Sequence, residues 1–391
     1  SGMHGLSASG DGTWTIADQA ELTDVLTTHP YPVFTPHCDR DPLNTLRPCL
    51  HATAESRLYA DLGGRPCLVE ELGTLGPMIA SERVAADYLR TALFSTWAHG
   101  CLGLLWWCAF DQQHLAQAPY DWHALERELG LMRSDGTPKP VLRELGRFGA
   151  FLRKLPFPNL PPRVTEAVCV LTEGQDQWGV AFSAFILAKQ AGFELRFQTA
   201  DQPLVPAPLY LVPGVSGSRA MTRRAWLGLL ERVRRGATLY LSLHDAFLEP
   251  FDAPLGLEVL TRERRSVPVA MTLGGIAGKP GLTVPAALRW RLRTCGATVL
   301  GTEADGNPVF TSARLGRGRI YLLALPLELE LARQPGAFHG AEAQPFWRVY
   351  HELAAPFLRG RVLRKDHPSV GVTEHVVRRD SRVAVLINYS P

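Results

Sequence analysis

The feature that most constrains the fold is the stretch from Arg65 to Gly73, which reads R-P-C-L-V-E-E-L-G. A short apolar run that ends in two carboxylates and a glycine is typical of a buried strand with acidic groups at its carboxyl end. In a parallel α/β barrel the carboxyl ends of the strands carry the active site. The pattern favours a chemical role for Glu70 or Glu71, and the alternative is that both are solvated acids that cap the next helix.

Strand alternation is expected to separate the two acids. In an ideal strand Leu68 and Glu70 face one side while Val69 and Glu71 face the other, so only one acid can point along a barrel axis. We predict that this acid is Glu71.

The neighbouring segments predict an alternation of strands and helices. An apolar strand is expected in residues 25–34, V-L-T-T-H-P-Y-P-V-F, before a helix-like stretch over 43–62. Helical spacing of apolar residues predicts a helix over 80–99, and the apolar run at 101–111, C-L-G-L-L-W-W-C-A-F-D, predicts a further strand. Strand–helix–strand order implies parallel pairing. The strand ends would then bring together His29, Tyr31, Glu71, Trp106, Trp107 and Asp111.

These segments together resemble the retaining β-glycosidases of the (β/α)8 clan A. The run P-C-L-V-E-E-L-G is similar to their seventh strand, which ends in a nucleophilic glutamate, and H-P-Y-P is similar to the sixth. G-L-L-W-W-C-A-F-D is similar to the eighth strand, and residues 126–141 resemble the segment with which cellulase-like and β-galactosidase-like members leave the barrel. The resemblance implies Glu71 as nucleophile, Tyr31 as the residue that orients it and Trp107 as a sugar platform, with no cofactor and no metal.

The resemblance has one large departure. A retaining glycosidase uses two carboxyl groups about 5 to 5.5 Å apart, and in the family the acid/base follows an asparagine at the end of strand four. Residues 1–13 resemble the tail of strand five, so residues 1–155 correspond to the C-terminal half of a TIM barrel that takes about 250 residues when whole. We expect the acid/base and the missing N-terminal barrel half on another polypeptide or in a segment outside this sequence.

The segment at 111–123, D-Q-Q-H-L-A-Q-A-P-Y-D-W-H, is too polar and aromatic for a plain connector. Sugar sites combine flat apolar faces with planar polar groups, which this segment offers. The alternative is that Tyr120 and Trp122 only pack the loop onto the barrel. Neighbouring strand residues face opposite ways, so one tryptophan can stack on a sugar, and we predict Trp107. The predicted substrate-binding residues are His29, Trp106, Trp107, Asp111, His114, Tyr120, Trp122 and Glu126.

A proline-dense linker, residues 156–163, precedes a second alternating α/β pattern over 164–358. This pattern predicts a mostly parallel, doubly wound sheet of the flavodoxin or amidotransferase type, within an α/β multidomain chain. It resembles the glutamine-amidotransferase-like trimerisation domain of some β-galactosidases, which implies a homo-oligomer. Residues 359–391 resemble the start of the small C-terminal β-sandwich of the same enzymes. The region has no G-x-G-x-x-G and no P-loop, which argues against dinucleotide or ATP binding.

Composition narrows the classes of partner. A formal charge of +3 over 391 residues argues against a nucleic-acid stripe or a polybasic membrane anchor, and no apolar run has the length of a membrane span. The seven cysteines are odd in number and lie mostly in apolar strands, which favours reduced core residues and a cytoplasmic location. No pair of them has zinc-ligand spacing.

We therefore predict a retaining glycoside hydrolase for β-linked oligo- or polysaccharides. It could be an exo-acting β-galactosidase, β-mannosidase or β-glucosidase, or an endo-acting β-glucanase or mannanase. The alternative is a non-catalytic carbohydrate-binding or assembly protein, which the missing acid/base favours. A third hypothesis is an esterase- or amidotransferase-like activity at Ser242 and His244, which the lack of a G-x-S-x-G elbow opposes.

Overall fold

The computed structural model describes residues 15–123, 125–157 and 159–390. The loop predicted at residues 1–13 lies outside this part of the chain. No helix among the described residues is long and apolar enough to cross a bilayer.

By their internal contacts the described residues divide into two compact units. One unit contains residues 15–164 and 369–390, and the other contains Thr165–Pro368. The second unit is therefore inserted in sequence between two parts of the first.

The first unit begins with alternating helices and strands. In chain order these are α1 (Ile16–Leu22), β1 (Leu26–Thr28), a short 3-10 helix (Cys38–Arg40), α2 (Leu46–Gly63), β2 (Cys67–Leu72), α3 (Glu82–Ala98), β3 (Leu104–Trp106) and α4 (Pro140–Leu152). Within the described residues the three strands form one sheet in the order β1-β2-β3, and both pairs are parallel. The parallel pairing predicted from strand–helix–strand order is thus confirmed. The sheet leaves the carboxyl ends of all three strands at one edge.

Glycines allow α2 to pack closely on β1. A Cβ atom at Gly63 would lie 2.6 Å from a methyl carbon of Leu26 and 3.0 Å from Ala20. The next residue, Gly64, ends the helix in the left-handed conformation, with φ of 64°, and donates its N–H to the carbonyl of Ala60. The first glycine therefore permits close packing, and the second ends the helix so that the chain can enter β2 three residues later.

The second unit contains strands of both directions. Its elements are β4 (Ala167–Leu171), α5 (Gln177–Ala191), β5 (Leu195–Thr199), β6 (Leu209–Val215), α6 (Arg223–Arg234), β7 (Thr238–Leu243), α7 (Asp252–Leu255), β8 (Leu257–Arg264), β9 (Val269–Thr272), β10 (Gly281–Val284), β11 (Leu288–Thr294), β12 (Thr298–Glu303), β13 (Pro308–Leu315), β14 (Gly318–Leu323), α8 (Leu327–Arg333) and α9 (Trp347–Leu358).

The main sheet of this unit is mixed. Among the described residues it has nine strands in the order β10-β9-β12-β13-β14-β7-β6-β4-β5. The pairs from β14 to β5 are parallel, and the pairs from β10 to β14 are antiparallel. The prediction of a mostly parallel sheet therefore holds for the half from β14 to β5 and not for the half from β10 to β14. Strands β8 and β11 pair with each other as a separate antiparallel ribbon.

The core of the second unit surrounds α5, every residue of which is buried. A helix that is apolar on all sides is stable only when it is covered all round. One carboxyl group lies in this core: Glu328 is fully buried and accepts hydrogen bonds from Tyr240 (3.0 Å), Tyr350 (2.8 Å) and Ser242.

The last two strands, β15 (Val370–Arg378) and β16 (Ser381–Asn388), form an antiparallel hairpin. The hairpin belongs to the first unit, where the carbonyl of Glu374 accepts the N–H of Val164 at 2.8 Å. The interpretation of this segment as the start of a β-sandwich stays a prediction, since the described residues contain one two-stranded sheet here.

Candidate active site

The register of β1 and β2 places a histidine beside the acidic strand end. Thr28, the last residue of β1, pairs with Val69. The next position on each strand is therefore occupied by His29 and Glu70. In parallel strands such neighbours lie side by side, about 5 Å apart.

A β-bulge at the two glutamates breaks the alternation of β2. Val69 pairs with Leu104 of β3, but Leu72 pairs with Trp106, so β2 has one residue more than β3 between these pairs. A bulge bends the strand and re-aims the side chains of the residues involved.

The imidazole of His29 contacts both carboxylates. Its Nε2 lies 3.0 Å from Oε2 of Glu70, and its Nδ1 lies 3.4 Å from Oε2 of Glu71. The predicted separation of the two acids by strand alternation is therefore wrong here, because both side chains reach the same ring. The physical reason is the bulge, because an extra residue interrupts the regular alternation of side chains along the strand.

Glu71 is held by a tyrosine on one oxygen only. The hydroxyl group of Tyr31 donates to Oε2 of Glu71 at 3.0 Å, and this is the oxygen that also faces His29. Among the described residues no hydrogen bond to Oε1 of Glu71 is found, and the side chain is 27% exposed. The carboxylate is thus held through one oxygen, on a side chain that is partly exposed to solvent.

The electrostatics keep the tyrosine a donor. Burial raises the pKa of Tyr31 far above its ordinary value, and the neighbouring Glu71 carboxylate raises that pKa further. Tyr31 therefore stays protonated and donates throughout the physiological range. The hydrogen bond from His29 lowers the pKa of the Glu70 carboxyl group, so Glu70 is favoured in its charged form.

Gly73 lets the tyrosine ring approach the strand end. A Cβ atom at this position would lie 3.2 Å from a ring carbon of Tyr31 and 3.2 Å from the carbonyl oxygen of Trp107. Contacts that short require the neighbours to move. The glycine after the acidic pair therefore has a packing reason, in addition to ending the strand.

The two tryptophans of the predicted eighth strand have different surroundings. Trp107 is 39% exposed, and its indole N–H donates to Oε2 of Glu126 at 2.9 Å. Trp106 is half-buried and donates to the carbonyl of Leu129 at 3.0 Å. Trp107 is therefore the one with its ring accessible. The Trp107–Cys108 peptide bond is cis.

Asp111 is buried and is engaged by groups of the protein itself. It is 3% exposed and forms an ion pair of 2.6 Å with the ammonium group of Lys139, just before α4. The same oxygen accepts the N–H of Gly130 at 2.9 Å. Its carboxylate holds the long loop to the start of α4, and its expected role in substrate binding stays a prediction.

The remaining predicted residues lie in the loop between Asp111 and α4. His114 is exposed, Tyr120 is half-buried, and Trp122 is 72% exposed with its ring 5.5 Å from that of His123. Trp122 therefore does not pack the loop onto the sheet. Of this group only Glu126 contacts a predicted site residue, through Trp107.

Sequence reasoning missed the residue that organises this loop. The guanidinium group of Arg127 donates to the carbonyl oxygens of Gln113, Leu115 and Tyr120, and its own carbonyl accepts the N–H of Gln112 at 2.9 Å. An arginine can bind several carbonyls because it has five donors in a planar fork. The signal was present as a lone basic residue between two glutamates, Glu126 and Glu128, but its partners are backbone groups that a sequence does not reveal.

The structure assigns the second predicted site, at Ser242, to the core. Ser242 is buried, accepts the N–H of Gly214 at 2.6 Å and donates to Glu328, whereas His244 pairs with Asp245 at 3.2 Å. This is a satisfied core hydroxyl group rather than a nucleophile beside a base. Among the described residues, no group of three or more His, Cys, Asp or Glu side chains could hold a metal ion.

The fold that carries these residues is similar to that of solved β-glycosidases. An exo-β-1,4-mannosidase from Opitutaceae bacterium strain TAV5 matches with a TM-score of 0.63 and 20% identity, over 88% of this chain and 60% of that chain. A β-galactosidase from Bacillus circulans sp. alkalophilus matches with a TM-score of 0.67 and 14% identity, over 95% and 55% of the two chains. The β-galactosidase of Rahnella sp. R3 matches with a TM-score of 0.68 and 14% identity, over 95% and 56%.

The chain spans little more than half the length of these solved structures, and at such identities the likeness establishes the fold. No family model and no curated protein matches the sequence.

Proposed function

We propose that this chain carries the nucleophilic half of a retaining β-glycosidase that acts on β-linked oligo- or polysaccharides. The observation that carries the proposal is the hydrogen bond from Tyr31 to one oxygen of Glu71, at the carboxyl end of a parallel strand and on a partly exposed side chain. An oriented and accessible carboxylate is what formation of a glycosyl-enzyme intermediate requires.

In the proposed reaction Oε1 of Glu71 attacks the anomeric carbon, and the bond from that carbon to the leaving oxygen breaks. An acid/base outside the described residues gives its proton to the leaving oxygen. The same group then takes a proton from water, which attacks the glycosyl ester, releases the sugar and frees the Glu71 carboxylate. Tyr31 keeps its proton throughout and acts by orienting Glu71.

Trp107 is the proposed sugar platform. Its exposed indole is fixed by the hydrogen bond to Glu126, so a sugar ring can stack on a surface whose position is already set. A platform that is ordered before binding lowers the entropy cost of holding the substrate.

The solved neighbours support terminal galactose or mannose as the sugar, since they include β-galactosidases and an exo-β-1,4-mannosidase. We accordingly favour exo action over endo action. The half-barrel interpretation of β1 to β3, the trimerisation-type role of the second unit and a homo-oligomeric state belong to the same proposal.

Covalent labelling tests the proposal without the acid/base. In a 2,4-dinitrophenyl 2-deoxy-2-fluoro-β-glycoside the leaving group needs no proton, and the fluorine slows hydrolysis of the ester by destabilising the oxocarbenium-like transition state. We expect the galacto or manno reagent to add one deoxyfluoroglycosyl group to the intact chain, located on Glu71 by peptide mapping. The Glu71→Gln variant should not react.

Glu70→Gln is the matched control, because it replaces the other carboxylate that contacts His29 and leaves Glu71 in place. It should still be labelled at Glu71. Labelling that survives Glu71→Gln, or no labelling by the galacto, manno and gluco reagents, would contradict hydrolysis. Retained sugar binding without labelling would favour the carbohydrate-binding alternative.

A further inference from the structure

A cavity of about 290 Å³ lies beside the candidate site in the first unit. Its wall is formed by the loop that follows β2, by Trp106, by residues of the segment 128–133, and by the first turns of α3 and α4. The residues His29 and Tyr31 and the two acidic residues do not line it. The cavity is thus bordered by Trp106 and not by Trp107, which bonds to Glu126.

The charges in the wall are largely compensated within the protein. Arg133 pairs with Glu82 at 2.6 Å, and Lys139 pairs with Asp111 at 2.6 Å. The fifth charged residue, Glu128, accepts a hydrogen bond from the side chain of Gln113 at 2.8 Å. A charged ligand would have to break one of these pairs and leave a partner uncompensated, which is costly in a concave site.

A neutral ligand with many hydroxyl groups fits this wall. Each hydroxyl group can donate to a carboxylate and accept from an ammonium or guanidinium group without disturbing their pairing. The uncharged part of the wall is mostly apolar, with Trp106, Leu75 and Leu129 among its members, and Thr74 and Gln113 add two neutral polar groups. An apolar wall with a few convergent planar polar groups is what the two faces of a sugar ring require.

The loop over the cavity holds an unusual backbone conformation. Leu75 has a φ of 58°, in the left-handed region that branched and bulky residues rarely adopt, and Gly76 follows with a φ of 86°. Such a strained conformation persists only where the surrounding structure enforces it, and such residues cluster at functional sites. Both residues line the cavity.

We propose that this cavity is a second saccharide site, which binds one neutral sugar ring independently of the site at Glu71. Its volume is at the lower end of the range for ligand pockets, about 300 Å³, which fits a single ring better than an oligosaccharide. The proposal does not depend on hydrolysis, because binding here uses none of the residues assigned to that reaction.

Titration of the intact chain with galactose, mannose and glucose, by calorimetry and saturation-transfer NMR, tests the proposal. Ala85, a buried residue of α3, lines the cavity, so Ala85→Leu should fill part of it and abolish binding there. Glu128→Gln keeps the shape and removes one charged acceptor, which should weaken binding about tenfold. Glu21→Gln, an exposed acid of α1, is the control and should bind as the parent does.

The variants also separate the two sites. Trp107→Ala and Glu71→Gln should leave the cavity affinity unchanged, whereas labelling at Glu71 should survive Glu128→Gln. The proposal is overturned if no monosaccharide binds, if Glu128→Gln binds as tightly as Glu21→Gln, or if glycerol binds as well as a sugar. If Ala85→Leu does not fold, as judged by circular dichroism, the comparison of the two glutamine variants decides.

Discussion

Among the described residues, tyrosine hydroxyl groups donate to two carboxylates, which differ in how deeply they are buried. Tyr31 donates to Glu71, whose side chain is 27% exposed. Tyr240 and Tyr350 both donate to Oε1 of Glu328, which is fully buried. The first carboxylate is partly exposed to solvent, as the role proposed for it requires, whereas burial raises the pKa of the second because no water solvates its charge.

Removal of the Tyr31 hydroxyl group should impair the nucleophile. Tyr31→Phe loses a charge-assisted hydrogen bond and the orientation it gives to Glu71, which corresponds to a fall of about 10- to 100-fold in the rate of labelling by the fluoroglycoside. The dependence of the labelling rate on reagent concentration separates an effect on the nucleophile from an effect on reagent binding. The maximal rate should fall, while the half-saturating concentration stays near its parent value. Tyr321→Phe, in the second unit, is the control. Equal maximal rates for the two variants would refute the orienting role.

Glu328 should make stability depend on pH. Its folded-state pKa is raised above the ordinary value of 4.5, so the folded state retains a proton that the unfolded state releases. Stability from this group is fully present below about pH 4.5 and is lost as the pH rises through the folded-state pKa.

Glu328→Gln cannot titrate and should therefore show a flatter dependence of the urea midpoint on pH from 4 to 8. Glu342→Gln, at an exposed position, should follow the parent. Identical slopes for the parent and Glu328→Gln would mean that the buried carboxyl group keeps its ordinary pKa.

At the scale of elements, periodicity predicted helices better than strands. The helix expected over 80–99 is observed as Glu82–Ala98, because its apolar residues repeat at helical spacing over four turns. The strand expected over 101–111 is observed only as Leu104–Trp106. An apolar run predicts burial, but strand length depends on the partner, and Phe110 bridges to Met132 of the following loop instead.

The first predicted strand, over 25–34, shows the same limit. It ends at Thr28, and the carbonyl of Tyr31 accepts the N–H groups of Phe34 and Thr35, which makes a turn where an extended segment was expected. The residue types of the site were readable from the sequence, since His29, Tyr31 and Glu71 were all named. The resemblance also implied that Tyr31 orients Glu71, and the hydrogen bond between them is consistent with that role. The contact of one histidine with both glutamates was not predicted, because it depends on a bulge that strand periodicity does not describe.

The C-terminal hairpin should depend on a buried chain of hydroxyl groups. Thr53 of α2 bonds to Ser95 of α3 at 2.6 Å, and Ser95 bonds to Tyr389, just after β16, at 2.8 Å. Ser95→Ala leaves two buried hydroxyl groups short of a partner, which should lower the free energy of unfolding by about 1–3 kcal/mol, measured by urea denaturation. Ser381→Ala, at the exposed hairpin turn, should change it by less than about 0.5 kcal/mol.

A double-mutant cycle tests whether the link is specific. If Ser95 acts through the hairpin, Tyr389→Phe should cost less in the Ser95→Ala background than in the parent. Additive effects of the two substitutions would show that the hairpin is held by other contacts.

At the scale of the whole molecule, the second unit is an insertion whose two ends are tied together. Glu166, near its start, and Arg361, near its end, form a buried bidentate ion pair, with Nη2 of Arg361 2.7 Å from Oε2 of Glu166. In the first unit the N–H of Val164 bonds to the carbonyl of Glu374, so the segments that leave and re-enter this unit also lie together. Adjacent ends are what allow one domain to be inserted into another.

A segment with tied ends and its own core should fold without the rest of the chain. We expect residues 165–368, expressed alone, to unfold cooperatively in urea with the far-ultraviolet dichroism of a mixed α/β protein. Arg361→Met would leave the Glu166 carboxylate buried without its partner, which should cost the fragment about 3–5 kcal/mol, whereas the exposed Arg364→Met should cost little. An aggregated fragment would show that the second unit needs the first in order to fold. Equal effects of the two substitutions would show that the ion pair between the ends contributes nothing to the stability of the fragment.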